Sequence, residues 1–211
     1  MLKDLDENTA ATLRRFRFDE EVLARAHAIL QTETGAGERI SGAVASPDPE
    51  DFVSLPAHGS VEGEELDRIG KAALLRGEVG VVVLAGGMAT RFGGIVKAVA
   101  NVVRNCSFLE LKLADIESVA ASLGGVVPVF LLTSFATRDQ IQGMLHDIPP
   151  LPHVPVEILE QSVSVRLTGT GEVFRDAAGK ISLCATGHGD LLSTLRVSGF
   201  GLRAEVPRDE A

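Results

Sequence analysis

The sequence predicts an α/β fold of three layers, in which helices cover both faces of a mainly parallel sheet. Three apolar runs carry this prediction: Val79–Ala85, Val126–Thr133 and Val156–Val165. Continuous apolar runs rich in β-branched residues are typical of strands that are covered on both faces. Because helical patterns separate the runs, we expect each strand to reach the next through a right-handed crossover.

Residues 1–78 are predicted to form a helical extension before this domain, which is expected to span residues 79–211. Asp19 can cap a helix that runs to Gln31. Its expected apolar face comprises Val22, Ala26, Ile29 and Leu30. A second helix is predicted over Glu64–Arg76, ending at Gly77, where glycine suits a left-handed cap. Its expected inward residues are Leu66, Ile69 and Ala73.

The remaining elements are predicted from periodicity and turn chemistry. Leu109–Leu123 repeats apolar residues at helical spacing. Thr137–Gln140, "TRDQ", has the pattern of a capping box that opens a helix toward His146. The segments "VSVRL" and "KISLC" flank a glycine-containing stretch and predict a hairpin. Asp190 can cap a last helix that ends near Gly199.

Composition and charge exclude several classes of function. The net charge of −9 argues against binding to nucleic acid or to an anionic membrane surface. No apolar run approaches the roughly 18 residues of a membrane span, and the charged N-terminal stretch lacks the pattern of a signal peptide. We therefore expect a cytoplasmic protein with two reduced cysteines. The composition does not indicate an oligomeric state.

A glycine-rich loop follows the first predicted strand. The stretch "VVVLAGGMATRFGGIVK" places Gly86–Gly94 beyond the carboxyl end of that strand, where open α/β sheets bind ligands. Glycines let backbone N–H groups approach an anion, and Arg91 and Lys97 supply positive charge beside them. The loop has neither the glycine spacing of a dinucleotide fingerprint nor the lysine position of a P-loop.

Four ordered segments resemble the UTP-dependent sugar-1-phosphate uridylyltransferases, the UDP-glucose and UDP-N-acetylglucosamine pyrophosphorylase family. They are "LAGGMATRFGG…K", "SFLELKLADI", "LLTSFAT" and the pair "EQSVSVRL" and "ATGHGD". Together they span roughly residues 79–199, more than half of the chain. The resemblance implies a nucleotide-diphospho-sugar transferase-like domain that takes UTP and a sugar 1-phosphate and uses Mg²⁺.

The resemblance also implies roles for individual residues. Arg91 and Lys97 would hold the triphosphate, with Lys97 neutralising charge at the α-phosphate. Gln161 would hydrogen-bond the uracil edge. The other expected nucleotide-binding residues are Leu84, Ala85, Gly86, Gly87, Thr133, Ser134, Gly187, His188 and Gly189.

The sequence departs from the family pattern in three places. Ala89 stands where the family has a glycine, and Val96 stands where it has a proline. The strand that would carry the metal-binding aspartate is not found, and Asp209 is a poor substitute, so the metal ligand stays unassigned. We therefore expect a chain truncated at its C-terminal end. Two alternatives stay open: a non-catalytic uridine-nucleotide-binding domain, or an inactive fragment.

Overall fold

The computed structural model describes residues 2, 5–31, 42–87 and 96–199. Its helices are α1 (Glu7–Arg15), α2 (Glu20–Gln31), α3 (Val61–Leu75), α4 (Phe108–Leu123), α5 (Arg138–Asp147) and α6 (Leu191–Val197). Its strands are β1 (Val81–Leu84), β2 (Asn101–Val103), β3 (Cys106–Ser107), β4 (Val129–Thr133), β5 (Val156–Glu160), β6 (Val163–Val165) and β7 (Leu183–Ala185).

A parallel sheet of strand order β1-β4-β5 forms the centre of the domain. One face carries Val129 and Leu131, which pack with Leu113 of α4 and Ile141 of α5. The opposite face carries Leu132 and Leu159, which pack with Leu195 of α6. Helices therefore cover both faces of a parallel sheet, and the predicted three-layer α/β fold is confirmed.

The predicted burial of the first strand on both faces is wrong. β1 pairs only with β4 among the described strands, and its side chains alternate between half-buried and exposed. Val82 is 37% exposed and Leu84 is 47% exposed, whereas the central strand β4 is almost completely buried. An apolar run can therefore mark an edge strand as well as a central one.

The third predicted strand divides into two strands that belong to different sheets. β5 ends at Glu160 in the parallel sheet, and β6 begins at Val163 in an antiparallel pair with β7. This pair confirms the predicted hairpin. Polar residues Gln161 and Ser162 occupy the junction between the two sheets.

Helix α2 confirms the predicted element but not its predicted face. Asp19 caps it by accepting hydrogen bonds from backbone N–H groups. The buried residue is Leu23, which packs with Leu13 and Phe16 against the β6–β7 hairpin. The predicted face is exposed at Val22, Ile29 and Leu30. In α3 likewise, the predicted inward residues Leu66 and Ile69 are exposed.

Phe16 and Arg17, which follow α1, bond to the chain where β5 ends and β6 begins. The Arg17 guanidinium donates to the Glu160 carbonyl, and the Phe16 carbonyl accepts from Val163 N–H at 2.8 Å. Arg138 pairs with the Glu160 carboxylate from the other side. Hydrogen bonds from the N-terminal segment thus hold the backbone at the junction of the two sheets.

Other local predictions have mixed outcomes. Gly77 has a φ of +69°, which confirms its predicted left-handed conformation after α3. The predicted capping box at Thr137 is wrong, because the Thr137 hydroxyl accepts from Ser134 N–H instead of capping α5. Asp190 precedes α6, but its carboxylate bonds to groups outside the helix backbone. Among the described residues, no helix is long and apolar enough to cross a membrane.

Candidate functional site

Three loops leave the parallel sheet side by side at its carboxyl edge. The register aligns Leu84 of β1 with Leu132 of β4 and Leu159 of β5. Ala85 N–H donates to the Leu132 carbonyl, and Gln161 N–H donates to the Thr133 carbonyl, each at 2.9 Å. The sheet therefore brings the residues after each strand together at the edge where open α/β sheets hold ligands.

A cavity of about 450 Å³ opens beside the end of β1. We call it the β1 cavity. Its described walls are Val83, Leu84, Ala85, Gly87, Val96, Lys97, Ala98, Phe108, Leu109, Lys112 and His188. Five of the predicted site residues line it: Leu84, Ala85, Gly87, Lys97 and His188. Phe108 and Lys112 were not singled out from the sequence, although both lie in a segment that carried the family resemblance.

The charged groups of the β1 cavity are positive. Lys97 and Lys112 line it with exposed side chains, and His188 lies at its wall. None of the described lining residues is Asp or Glu. Two lysine side chains at the wall of one cavity favour an anionic ligand.

Gly86 lies behind the cavity wall, against the side chain of Gln161. A Cβ atom at Gly86 would fall 2.9 Å from Gln161 Cδ and nearer still to Gln161 Nε2. Gln161 is 2% exposed, and its Oε1 accepts from Gly187 N–H at 3.2 Å. The Gln161 amide therefore fills the space between the loop after β1 and the loop after β7, and a larger residue at position 86 would have to displace it.

The loops that follow β5 and β7 are joined by hydrogen bonds. Ser162 N–H donates to Asp190 Oδ2 at 2.5 Å, and the Thr186 hydroxyl donates to the same carboxylate oxygen at 3.0 Å. Thr186 N–H and the Ser162 carbonyl form a further bond at 3.1 Å. Burial alone would raise the pKa of Asp190, but the bonds that its carboxylate accepts from Ser193, Ser162 and Thr186 hold the pKa below its usual value. The network fixes the segment that presents His188.

The remaining predicted residues do not line the β1 cavity. Thr133 and Ser134 are completely buried. The Thr133 hydroxyl donates to the Leu159 carbonyl at 2.9 Å, and Ser134 N–H donates to the Thr137 hydroxyl at 3.0 Å. Gly189 lines a different cavity, and Arg91 lies outside the described residues. The nucleotide contacts of these residues stay predictions.

The described residues contain no cluster of three or more candidate metal-ligating side chains. Mg²⁺ prefers carboxylate and phosphate oxygens in octahedral geometry. Within the described ranges no group of three or more His, Cys, Asp or Glu side chains could hold a metal ion. The Asp190 carboxylate is already occupied by three donors, and no carboxylate stands among the described walls of the β1 cavity.

Fold and site together define an α/β protein whose candidate ligand site lies at the carboxyl edge of a parallel sheet, beside a glycine-rich loop. Comparison with known proteins identifies the family more closely. Residues 24–202 match the family described as UTP–glucose-1-phosphate uridylyltransferase. The chain belongs to this family.

Two curated plant proteins are similar in sequence. The UTP–glucose-1-phosphate uridylyltransferase of Pyrus pyrifolia is 30% identical over 158 residues, which cover 72% of this chain and 32% of that protein. The enzyme of the same name from Musa acuminata is 31% identical over 128 residues, covering 58% and 27% respectively. This chain thus spans about a third of the length of the curated relatives that it matches.

Solved structures support the fold. A UDP-glucose phosphorylase from Trypanosoma brucei superposes with a TM-score of 0.61 at 24% identity, covering 90% of this chain and 39% of that one. A mutant UDP-glucose pyrophosphorylase from Leishmania major, solved in complex with UDP-glucose, has a TM-score of 0.53 at 20% identity. That match covers 93% of this chain and 41% of the Leishmania chain. At these identities the likeness concerns the fold alone.

Proposed function

We propose that this chain carries the nucleotide site of a uridylyltransferase that forms a UDP-sugar and pyrophosphate from UTP and a sugar 1-phosphate. Glucose 1-phosphate is the proposed sugar substrate, because the family description and both curated relatives name it. N-acetylglucosamine 1-phosphate is the competing substrate that the experiment below tests.

The observation that carries the proposal is the make-up of the β1 cavity. The exposed backbone of Gly87 and the side chains of Lys97 and Lys112 line the same cavity. This cavity lies at the carboxyl edge of the sheet, where open α/β sheets bind ligands. Its apolar walls include Leu84 and Phe108, which suit the face of a base. A nucleoside triphosphate has both parts, an apolar base face and a chain of negative phosphates.

In the proposed reaction, an oxygen of the sugar phosphate attacks the α-phosphorus of UTP, and the bond from that phosphorus to the pyrophosphate leaving group breaks. Such a transfer depends on positioning and on electrostatic stabilisation of the phosphates. Lys97 is proposed to neutralise charge at the α-phosphate, and Arg91 to hold the outer phosphates. No protein group needs to form a covalent intermediate.

The base and ribose are proposed to lie against the loop after β1. Leu84, Ala85, Gly86 and Gly87 would offer backbone groups to the nucleoside, and Gln161 would read the uracil edge with its amide. The position of the Gln161 amide nitrogen beside Gly86 supports this assignment. The loop after β7, with Gly187, His188 and Gly189, would contact the opposite face of the nucleoside. The end of β4, with Thr133 and Ser134, would support the loops on either side.

Mg²⁺ is proposed to accompany the triphosphate, since divalent cations bridge phosphate oxygens in this class of reaction. The described residues supply no ligand set for it. The proposal therefore assigns no described carboxylate to the metal.

The test is pyrophosphate release from UTP, with glucose 1-phosphate or N-acetylglucosamine 1-phosphate, with Mg²⁺ or with EDTA. We expect turnover with glucose 1-phosphate and Mg²⁺, and a loss of at least tenfold in Lys97→Ala, because a charge at the reacting phosphate is removed. Lys71→Ala is the matched control, since Lys71 is an exposed helical lysine that pairs with Asp67. Turnover that survives Lys97→Ala unchanged would refute the role of Lys97.

A non-catalytic uridine-nucleotide-binding domain is the second candidate. It is favoured by the lack of a carboxylate among the described walls of the β1 cavity. Calorimetric titration with UTP separates the candidates. UTP binding without pyrophosphate release would support the binding domain, and the absence of UTP binding would refute both functions.

A further inference from the structure

We propose that Lys112 is a second phosphate-binding residue of the β1 cavity, acting together with Lys97. The inference rests on the proposed function, because it assigns a further contact to the same site. Neither the glycine loop nor the predicted site residues include this lysine, which lies on helix α4.

Helix α4 directs Lys112 into the cavity. Lys112 and Phe108 are four residues apart, so their side chains lie one above the other on one face of the helix. Both line the β1 cavity. Leu109 and Leu113, almost completely buried, lie on the adjacent face of the helix and anchor it in the core beneath the sheet. Core packing therefore fixes the helix position from which Lys112 reaches the cavity.

A capping box stabilises the N-terminal end of α4, the helix that carries Lys112. The Ser107 hydroxyl accepts from Glu110 N–H at 3.2 Å, and the Glu110 carboxylate accepts from Ser107 N–H at 2.6 Å. These reciprocal bonds fix the first turn of the helix, one turn before Lys112. They also hold the pKa of Glu110 below its usual value, so this carboxylate stays ionised and engaged with Ser107.

The charge of Lys112 has no acidic partner among the described residues. Some other basic residues on described helices pair with acids at short spacing, as Lys71 does with Asp67 and Arg68 with Glu65. No described carboxylate forms an ion pair with Lys112. An ammonium group that lines a cavity with another lysine and without an acid is placed to meet a ligand anion.

Phosphate could reach Lys112 from either substrate. The triphosphate of UTP and the phosphate of the sugar 1-phosphate share the same chemistry, and the cavity walls do not separate them. A lysine is a compact point charge with three donors, which suits phosphate oxygens from either source. The experiment therefore has one arm for each.

The experiment is calorimetric titration of the full 211-residue chain with UTP, uridine and glucose 1-phosphate. It compares the parent with Lys112→Ala, Lys112→Arg and the control Lys71→Ala. We expect Lys112→Ala to weaken binding of at least one phosphate ligand about five- to twentyfold at low salt, and to leave uridine unchanged. Lys112→Arg keeps the charge and should restore most of the affinity. The loss should shrink as salt is raised, because the group is exposed.

The outcomes separate this inference from the proposed function. Loss confined to UTP assigns Lys112 to the triphosphate, and loss confined to glucose 1-phosphate assigns it to the sugar phosphate. If the parent binds UTP and Lys112→Ala binds both phosphate ligands within twofold of the parent, the inference alone is wrong. An equal loss for uridine would mean that Lys112 acts through packing, which also overturns it. A parent chain that binds no UTP refutes the proposed function and this inference with it.

Discussion

Replacing Gly86 by alanine tests the packing behind the candidate site. The new Cβ would lie 2.9 Å from Gln161 Cδ, well inside the usual contact distance, and nearer still to Gln161 Nε2. Gln161 is 2% exposed and bonded to Gly187 N–H, so its amide can move only by giving up that bond. Overpacking of a core typically costs 1–3 kcal/mol, and a lost hydrogen bond costs about 1 kcal/mol.

We therefore expect Gly86→Ala to lower the free energy of unfolding by about 2 kcal/mol. For a chain of this length the change corresponds to a fall in Tm of about 4–8 °C. The measurement is thermal unfolding followed by far-ultraviolet circular dichroism, since the chain has no Trp or Tyr to report by fluorescence. We also expect weaker UTP binding, because the displaced amide would disturb both loops of the site.

Gly87→Ala is the matched control. A Cβ at Gly87 meets no described atom within 4 Å, so its Tm should stay within about 2 °C of the parent. The double variant Gly86→Ala/Gln161→Ala should be less destabilised than the sum of the two single changes, because removing the amide removes the clash. Equal Tm values for Gly86→Ala and Gly87→Ala, or strict additivity in the cycle, would refute this account.

Two further predictions concern the loop after β7. Gly187 has a φ of +92° and a ψ of −174°, a conformation nearly restricted to glycine, so Gly187→Ala should cost about 1–3 kcal/mol. Gly189→Ala, at a position without positive φ or close neighbours, should leave Tm nearly unchanged, and a comparable loss at both glycines would contradict the argument. The lowered pKa of Asp190 means that its ionised form stabilises the fold above the ordinary carboxyl pKa, near 3.8, and that this contribution is lost as pH falls through the lower folded value. Asp190→Asn should therefore lower Tm at pH 6 and show a shallower fall in Tm below about pH 4; parallel pH profiles for parent and variant would be the contrary result.

Local sequence patterns predict which segments form helices and strands. They predict less well how deeply each segment is buried and what it packs against. The strand before the glycine loop was predictable because a β-branched run ends where glycines begin. Its exposure was not predictable, because burial depends on which strand lies beside Val82 and Leu84. The run over Val156–Val165 predicts one strand, whereas the structure has two strands with Gln161 and Ser162 at the junction between two sheets.

The position of the loop after β1 is predictable from the sequence, because glycines follow the strand directly. Glycines at a strand end predict a place of close approach, and Gly86 does lie close against Gln161, whereas a Cβ at Gly87 would meet no described atom within 4 Å. The hydroxyl of Thr137 was assigned to the wrong partner, because its bond to Ser134 depends on a tight turn after β4. The sequence does not identify Lys112 as a cavity residue. The packing of α4 on the sheet decides which face of the helix meets the cavity.

The contact between the first helices and the β6–β7 hairpin has a consequence for synthesis on the ribosome. Leu13, Phe16 and Leu23 find their partners Val163 and Ile181 only about 150 residues later in the chain. At roughly 5–20 residues per second, these side chains wait about 8 to 30 seconds for their hairpin partners to be synthesised. Until residues 163–181 have been synthesised, the apolar side chains of this N-terminal segment lack their hairpin partners.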